Sequence, residues 1–177
     1  MLLNALRAVR RELFLCLMVH VLVTAFVIRT SEQFPARVAT HFDSKGRADG
    51  WMTREDHAKF MVGFASGALL VLGGFFYGIR FMPEGYWNIP NRGFHLSPGN
   101  REATSNFMLA RGLKLVAVIL AFFGVLQFLL LRANAKPVPK LDGFGLALAT
   151  CVLLGYLAVW LRGLFSFFSQ MPKKTRR

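Results

Sequence analysis

Four stretches of this chain, 13–28, 60–79, 115–131 and 143–161, contain no Asp, Glu, Lys or Arg. They are 16, 20, 17 and 19 residues long. A helix crosses the hydrocarbon of a bilayer with about 20 apolar residues, within a range of about 17–25. The 60–79 stretch also lacks a polar face, since only Ser66 and Tyr77 interrupt it. A surface helix of a soluble protein would carry a polar stripe. Composition points the same way. Of 177 residues 54% are apolar and 18% charged, against about a quarter charged in a soluble domain. A disordered chain is excluded, and water is the wrong solvent for these runs. The sequence predicts an all-α polytopic integral membrane protein. It has four transmembrane helices in a single membrane domain, 1–177, with an outer loop at 29–59 and a cytoplasmic loop at 80–106.

The first stretch has a rival reading. Arg7, Arg10 and Arg11 ahead of an apolar run resemble a signal peptide, and Val23-Thr24-Ala25 is a passable cleavage site. The apolar run continues through Ile28 with no polar region before that site, which favours a retained helix. Placing the N-terminus in the cytoplasm puts 13 Lys and Arg inside and 9 outside. Cytoplasmic loops carry the excess of basic residues, so both termini are expected in the cytoplasm, with the inner membrane as host. The net charge of +13 has the same origin. Its basic residues flank apolar runs instead of lining one face, so anionic headgroups and not nucleic acid are the expected partner. Cys16 and Cys151 each fall inside an apolar run, outside any CxxC spacing, and read as buried packing residues.

Helix boundaries are legible for two spans. Thr53 before Arg54-Glu55-Asp56 has the form of an N-cap with acids in the first turn. Ser97-Pro98 has the form of an N-cap and first helical position for the third helix. On the second span, Gly63, Gly67, Gly74 and Gly78 fall within about 60° of one another around the helix. They form a groove where another backbone can approach, either a neighbouring helix of this chain or a second copy. Ala117, Ala121 and Gly124 make a similar stripe on the third span, and Ala147, Cys151, Gly155 and Ala158 on the fourth. Trp160, Phe165, Phe167 and Phe168 read as an interfacial anchor. Lys173, Lys174, Arg176 and Arg177 behind them would sit against lipid headgroups, each worth about 1 kcal/mol.

The outer loop holds the densest polar constellation: His41, Asp43, Gly46, Asp49, Gly50, Trp51 and His57. Its simplest reading is a tight loop. Gly46 and Gly50 supply positive φ, Asp43 and Asp49 accept bonds from nearby backbone N–H groups, and Trp51 lies at the membrane surface. The alternative is a metal site built from His41, Asp43, Asp49 and His57, with an open position for water. In the cytoplasmic loop, Asn88, Pro90, Asn91 and Arg92 either bind a ligand or headgroup or tie the loop to itself. His20 is isolated among apolar residues. It reads as a neutral imidazole bonded across helices, with Gln127 a candidate partner. No GxSxG, HExxH, P-loop or GxGxxG is present. No span carries a carboxylate for a proton relay, and no cofactor is expected.

Two blocks carry a resemblance. Pro35, Thr40, His41, Gly46, Asp49 and Gly50 stand at the positions of an N-terminal signature of a bacterial membrane family, domain of unknown function 1648. Asn88-Ile89-Pro90-Asn91, followed by Leu96-Ser97-Pro98 and Arg101-Glu102, is similar to a second block of that family. Phe94-His95 departs from the Tyr-Trp common there. The family includes SdpI-type proteins, which give immunity to a secreted peptide toxin and sequester a regulator at the membrane. The resemblance implies a small loop-and-helix membrane module of that superfamily. The leading expectation is therefore a non-enzymatic binding or immunity/signalling module. The alternatives are an accessory subunit of a larger membrane complex and a metal-dependent membrane enzyme.

Overall fold

A computed structural model of the chain describes residues 2–170. The element order is α1 (Leu2–Ala8), α2 (Arg10–Ser31), β1 (Arg37–Phe42), β2 (Ala48–Thr53), α3 (Arg54–Gly78), α4 (Arg92–His95), α5 (Arg101–Asn134) and α6 (Gly143–Ser169). Two 3-10 turns, Ile79–Phe81 and Glu84–Tyr86, lie between α3 and α4. Helices α2, α3 (with the turn that follows it), α5 and α6 are long and apolar enough to cross a membrane. The protein is all-α and polytopic, with a single β-hairpin at one end of the bundle. The lipid-headgroup candidates Lys173, Lys174, Arg176 and Arg177 lie outside the described residues.

Every span is longer than its uncharged stretch, because charged residues continue each helix past the apolar run. The cap at Thr53 forms as expected. Its hydroxyl accepts from the backbone N–H of Asp56 at 3.1 Å. The third span starts three residues later than Ser97-Pro98 suggests. Asn100 is its N-cap and makes no side-chain cap bond; its Nδ2 donates to the carbonyl of Phe94. Helix α6 begins at the Asp142 cap, whose carboxylate accepts from Gly145 N–H at 3.1 Å.

Helix α5 is the axis of the bundle. Its buried residues Leu109, Leu113, Val116, Leu120 and Gln127 advance by steps of four, three, four and seven, the seam of a helix packed along its length. Cys16 and Val9 from the α2 side, Ala65 and Phe76 of α3, and Trp160 of α6 close on that core. The outside is apolar: Leu70, Val71, Val152 and Phe144 are 73, 70, 65 and 79% exposed, whereas Gln127 is fully buried. Apolar side chains outside and an amide inside fit lipid as the surrounding solvent.

Two sequence expectations about packing fail, and so does one of the two readings of the glycine groove. The Gly63, Gly67, Gly74 and Gly78 groove holds no neighbouring helix, since a Cβ at any of the four would meet nothing within 4 Å. The glycine that does allow a close approach is Gly112 of α5, where a Cβ would lie 2.1 Å from the ring of Phe76. The stripe on the fourth span also faces outward, with Cys151 exposed instead of buried. Finally, Trp160 and Phe168 are packed inward and only Phe165 stays exposed. Trp160 donates from Nε1 to the carbonyl of Arg111 at 2.8 Å, and Arg111 donates back to the Trp160 carbonyl. This exchange clamps α6 to α5, so the aromatic cluster is an interhelical contact more than a lipid anchor.

Candidate functional site

Within the expected outer loop, Arg37–Phe42 and Ala48–Thr53 pair as the hairpin. β-Branched Val38 and Thr40 and aromatic Phe42 suit a strand, and Asp43 to Gly46 is turn chemistry. Gly46 N–H donates to Asp43 O, and Asp43 N–H donates to Arg47 O, both at 2.9 Å. Gly46 adopts φ +75° between them, a conformation that favours glycine. The Asp43 carboxylate accepts from the backbone N–H of Lys45 and Arg47 at 2.9 and 2.8 Å, and from Arg47 Nε at 2.9 Å. The Arg47 backbone N–H, then its guanidinium, hold the Asp43 carboxyl below the usual carboxylate range.

Gly50 is a glycine for a different reason from the one its position suggests. Its φ is not positive. A Cβ there would lie 2.7 Å from the Cβ of His41, its cross-strand partner beside a bulge. Asp49 bonds the Nδ1 of His41 and not a backbone N–H. This pair faces outward, with the two side chains 75 and 48% exposed. Trp51 and Met52 are exposed on the same hairpin.

A two-stranded hairpin is marginal alone in water, and here the bundle fixes it. Asn134, the last residue of α5, accepts from Ala39 N–H at 2.7 Å and donates to Ala39 O at 3.0 Å. One buried amide thus takes the place of a third strand. Gly46 O accepts from Leu141 N–H at 3.0 Å, which ties the turn to the loop before α6. Val38 and Ala39 are fully buried beneath. Neither Asn134 nor Leu141 stood out in the sequence. A lone amide at the end of an apolar run was the one available signal for Asn134.

His57 does not join the outer constellation. It is buried in the first turns of α3, edge-on to Phe34 with ring centroids 5.0 Å apart. Its Nε2 donates to Gln127 Oε1 at 2.9 Å, and Gln127 Nε2 donates to Thr30 Oγ1 at 3.0 Å. Thr30 Oγ1 then donates to Phe26 O at 2.7 Å. The chain of donors runs one way and links α3, α5 and α2. Gln127 is therefore the partner of His57 and Thr30, not of His20, which meets Ser66 at 3.1 Å. The four residues proposed as metal ligands are split between the outer face and the core. Among the described residues no three His, Cys, Asp or Glu side chains gather into a metal-binding group.

At the opposite end, the 80–106 segment closes on the protein itself. Asn91, at φ 52°, donates from Nδ2 to the carbonyl of Phe168 at 3.0 Å. His95 Nε2 reaches the same carbonyl at 3.3 Å. Asn88, Pro90 and Arg92 are exposed. No family model matches the chain, and neither a curated protein nor a solved structure does.

Proposed function

We propose that the protein is a non-enzymatic membrane module whose hairpin is a preformed recognition surface on the outer side of the inner membrane, with both termini in the cytoplasm. One observation carries the reading. Val38 and Ala39 of β1 are fully buried and the Ala39 backbone is bonded to Asn134 of the bundle, while the His41–Asp49 pair is exposed and Trp51 is 43% exposed. A surface held rigid before binding loses less conformational entropy when a partner arrives. The resemblance to SdpI-type proteins supports a secreted, membrane-active peptide as that partner, and an immunity or signalling role.

The test is survival of a deletion strain challenged with secreted membrane-active peptides. Wild-type protein is expected to restore survival, and Asp49→Ala at an equal membrane level is expected not to. A deletion strain as resistant as its parent overturns the reading.

A second reading rests on a separate observation. Gly63, Gly67, Phe60, Phe64 and Phe123 line an apolar groove of ≈ 660 Å³. Its glycines have open space where a helix would pack. An accessory-subunit or homodimer role through this groove predicts that Gly67→Leu abolishes a complex recovered from native membranes. A complex that survives the substitution removes that reading.

A further inference from the structure

A polar cavity lies at the end opposite the hairpin, beside the first turn of α5. It encloses ≈ 300 Å³ and is lined by Asn4, Arg80, Pro98, Arg101, Glu102 and Ser105. Arg80 is 7% exposed and Ser105 4%. Burying a guanidinium is costly unless its donors are met. Here they are met in part. Nη2 of Arg80 donates to Asn106 Oδ1 at 3.2 Å, and the planar group lies 4.7 Å from the centre of the Tyr77 ring. Its buried Nε has no hydrogen-bond partner among the described residues. The guanidinium is thus held in place, with donors left over. Arg101 donates from Nη2 to Met82 O at 2.8 Å, which fixes the second cation of the lining.

Helix α5 adds to the same corner. Its N-cap residue makes no side-chain cap bond. The Arg101 N–H is taken by the Ser97 carbonyl at 3.0 Å, and the positive end of the helix dipole at this first turn favours an anion. Glu102 is the one acid in the lining, so two arginines and one carboxylate leave a net charge of +1. A singly charged anion balances that charge, and a planar guanidinium matches two oxygens of a phosphate group.

We propose that this cavity binds a singly charged phosphate group through Arg80, Arg101 and Ser105. Two sources share that chemistry: the phosphodiester of an anionic phospholipid headgroup, and phosphate free in solution. Basic pockets between transmembrane helices at a membrane surface are suited to the first.

The test uses full-length protein purified in neutral detergent. Phosphatidylglycerol, phosphatidylcholine and inorganic phosphate are titrated separately, with retention read by native mass spectrometry and protection by the thermal midpoint. A preference for phosphatidylglycerol over phosphatidylcholine of about tenfold is expected for a lipid site. Protection by inorganic phosphate without that preference assigns the site to the soluble source. Arg80→Lys keeps the charge and removes the fork, and it is expected to lose the binding in either case. Because Arg80→Lys also disturbs a buried group, Ser105→Ala and Arg101→Gln are measured beside it. Ser105→Ala is expected to weaken binding at an unchanged midpoint without ligand. The proposal is overturned if neither probe binds, or if both Ser105→Ala and Arg101→Gln bind like wild type.

Discussion

Gly112 and Gly74 are the same residue in neighbouring helices, yet only one of them has a neighbour. At Gly112 an added methyl would sit 2.1–2.6 Å from Phe76 side-chain atoms, including its Cβ, so the two helices would have to move apart. At Gly74 it would enter open space. Gly112→Ala is expected to destabilise the protein by about 1–3 kcal/mol, the range for overpacking a tight contact. Gly74→Ala is expected to stay within about 0.5 kcal/mol of wild type. Thermal unfolding in detergent checks both, and equal midpoints for the two variants would contradict the packing described. The regular glycine spacing of α3 marks no close contact within the chain. Gly112 belongs to no motif, because what makes it necessary is a ring from a segment 36 residues away. His57 makes the same point. Beside Thr53-Arg54-Glu55-Asp56 it reads as a polar residue of a charged helix start. Only the approach of Gln127 and Thr30 turns it inward.

At the scale of an element, the hairpin stands on a turn with local chemistry and on a distant amide. The local part responds to acid. The Arg47 backbone N–H and guanidinium hold the folded-state pKa of the Asp43 carboxyl below its ordinary value. A depressed carboxyl contributes stability that is complete above the unfolded value and is lost as pH falls through the folded one. The backbone N–H resonances of Lys45 and Arg47 should therefore shift in wild type with a midpoint below the ordinary carboxylate range. In Asp43→Asn, which keeps an acceptor and has no charge to lose, that acid transition should be absent. Its persistence would assign it to another group. The turn itself was legible: Asp43, Gly46 and their bonds follow from residue type. The strands were hidden because the run is short and sits between charged loops. The role of Asn134 depends on the end of α5 arriving beside Ala39, which no local pattern encodes.

For the whole molecule, the ordering of polar and apolar groups is reversed from that of a soluble bundle. Phe144 is 79% exposed, while Gln127 is fully buried and bonded at both ends of its amide. In water the exposed aliphatic and aromatic faces of α3 and α6 would form patches large enough to aggregate. The protein is expected to sediment with membranes after lysis without detergent and to resist alkaline carbonate. Recovery in the supernatant would contradict the assignment of lipid as solvent. Basic residues gather at the end opposite the hairpin: Glu12 pairs there with Lys114 at 3.3 Å, Arg111 clamps α6, and Arg80 and Arg101 line one cavity. The two ends thus differ in kind, a hairpin platform at one and a basic, partly buried corner at the other.

Four uncharged runs determined, without any structure, that the chain is helical and where it crosses a bilayer, because the cost of placing backbone and charge in hydrocarbon depends only on local sequence. The turn residues of 43–46 and the cap at Thr53 were equally local. Tertiary structure alone decided which glycine is compressed, which histidine is buried, which amide completes the hairpin and which arginine keeps unused donors. Those outcomes depend on which segments distant in sequence come within a few ångströms of each other, and in a lipid-solvated bundle an apolar helix carries little record of the face it will turn toward its neighbours.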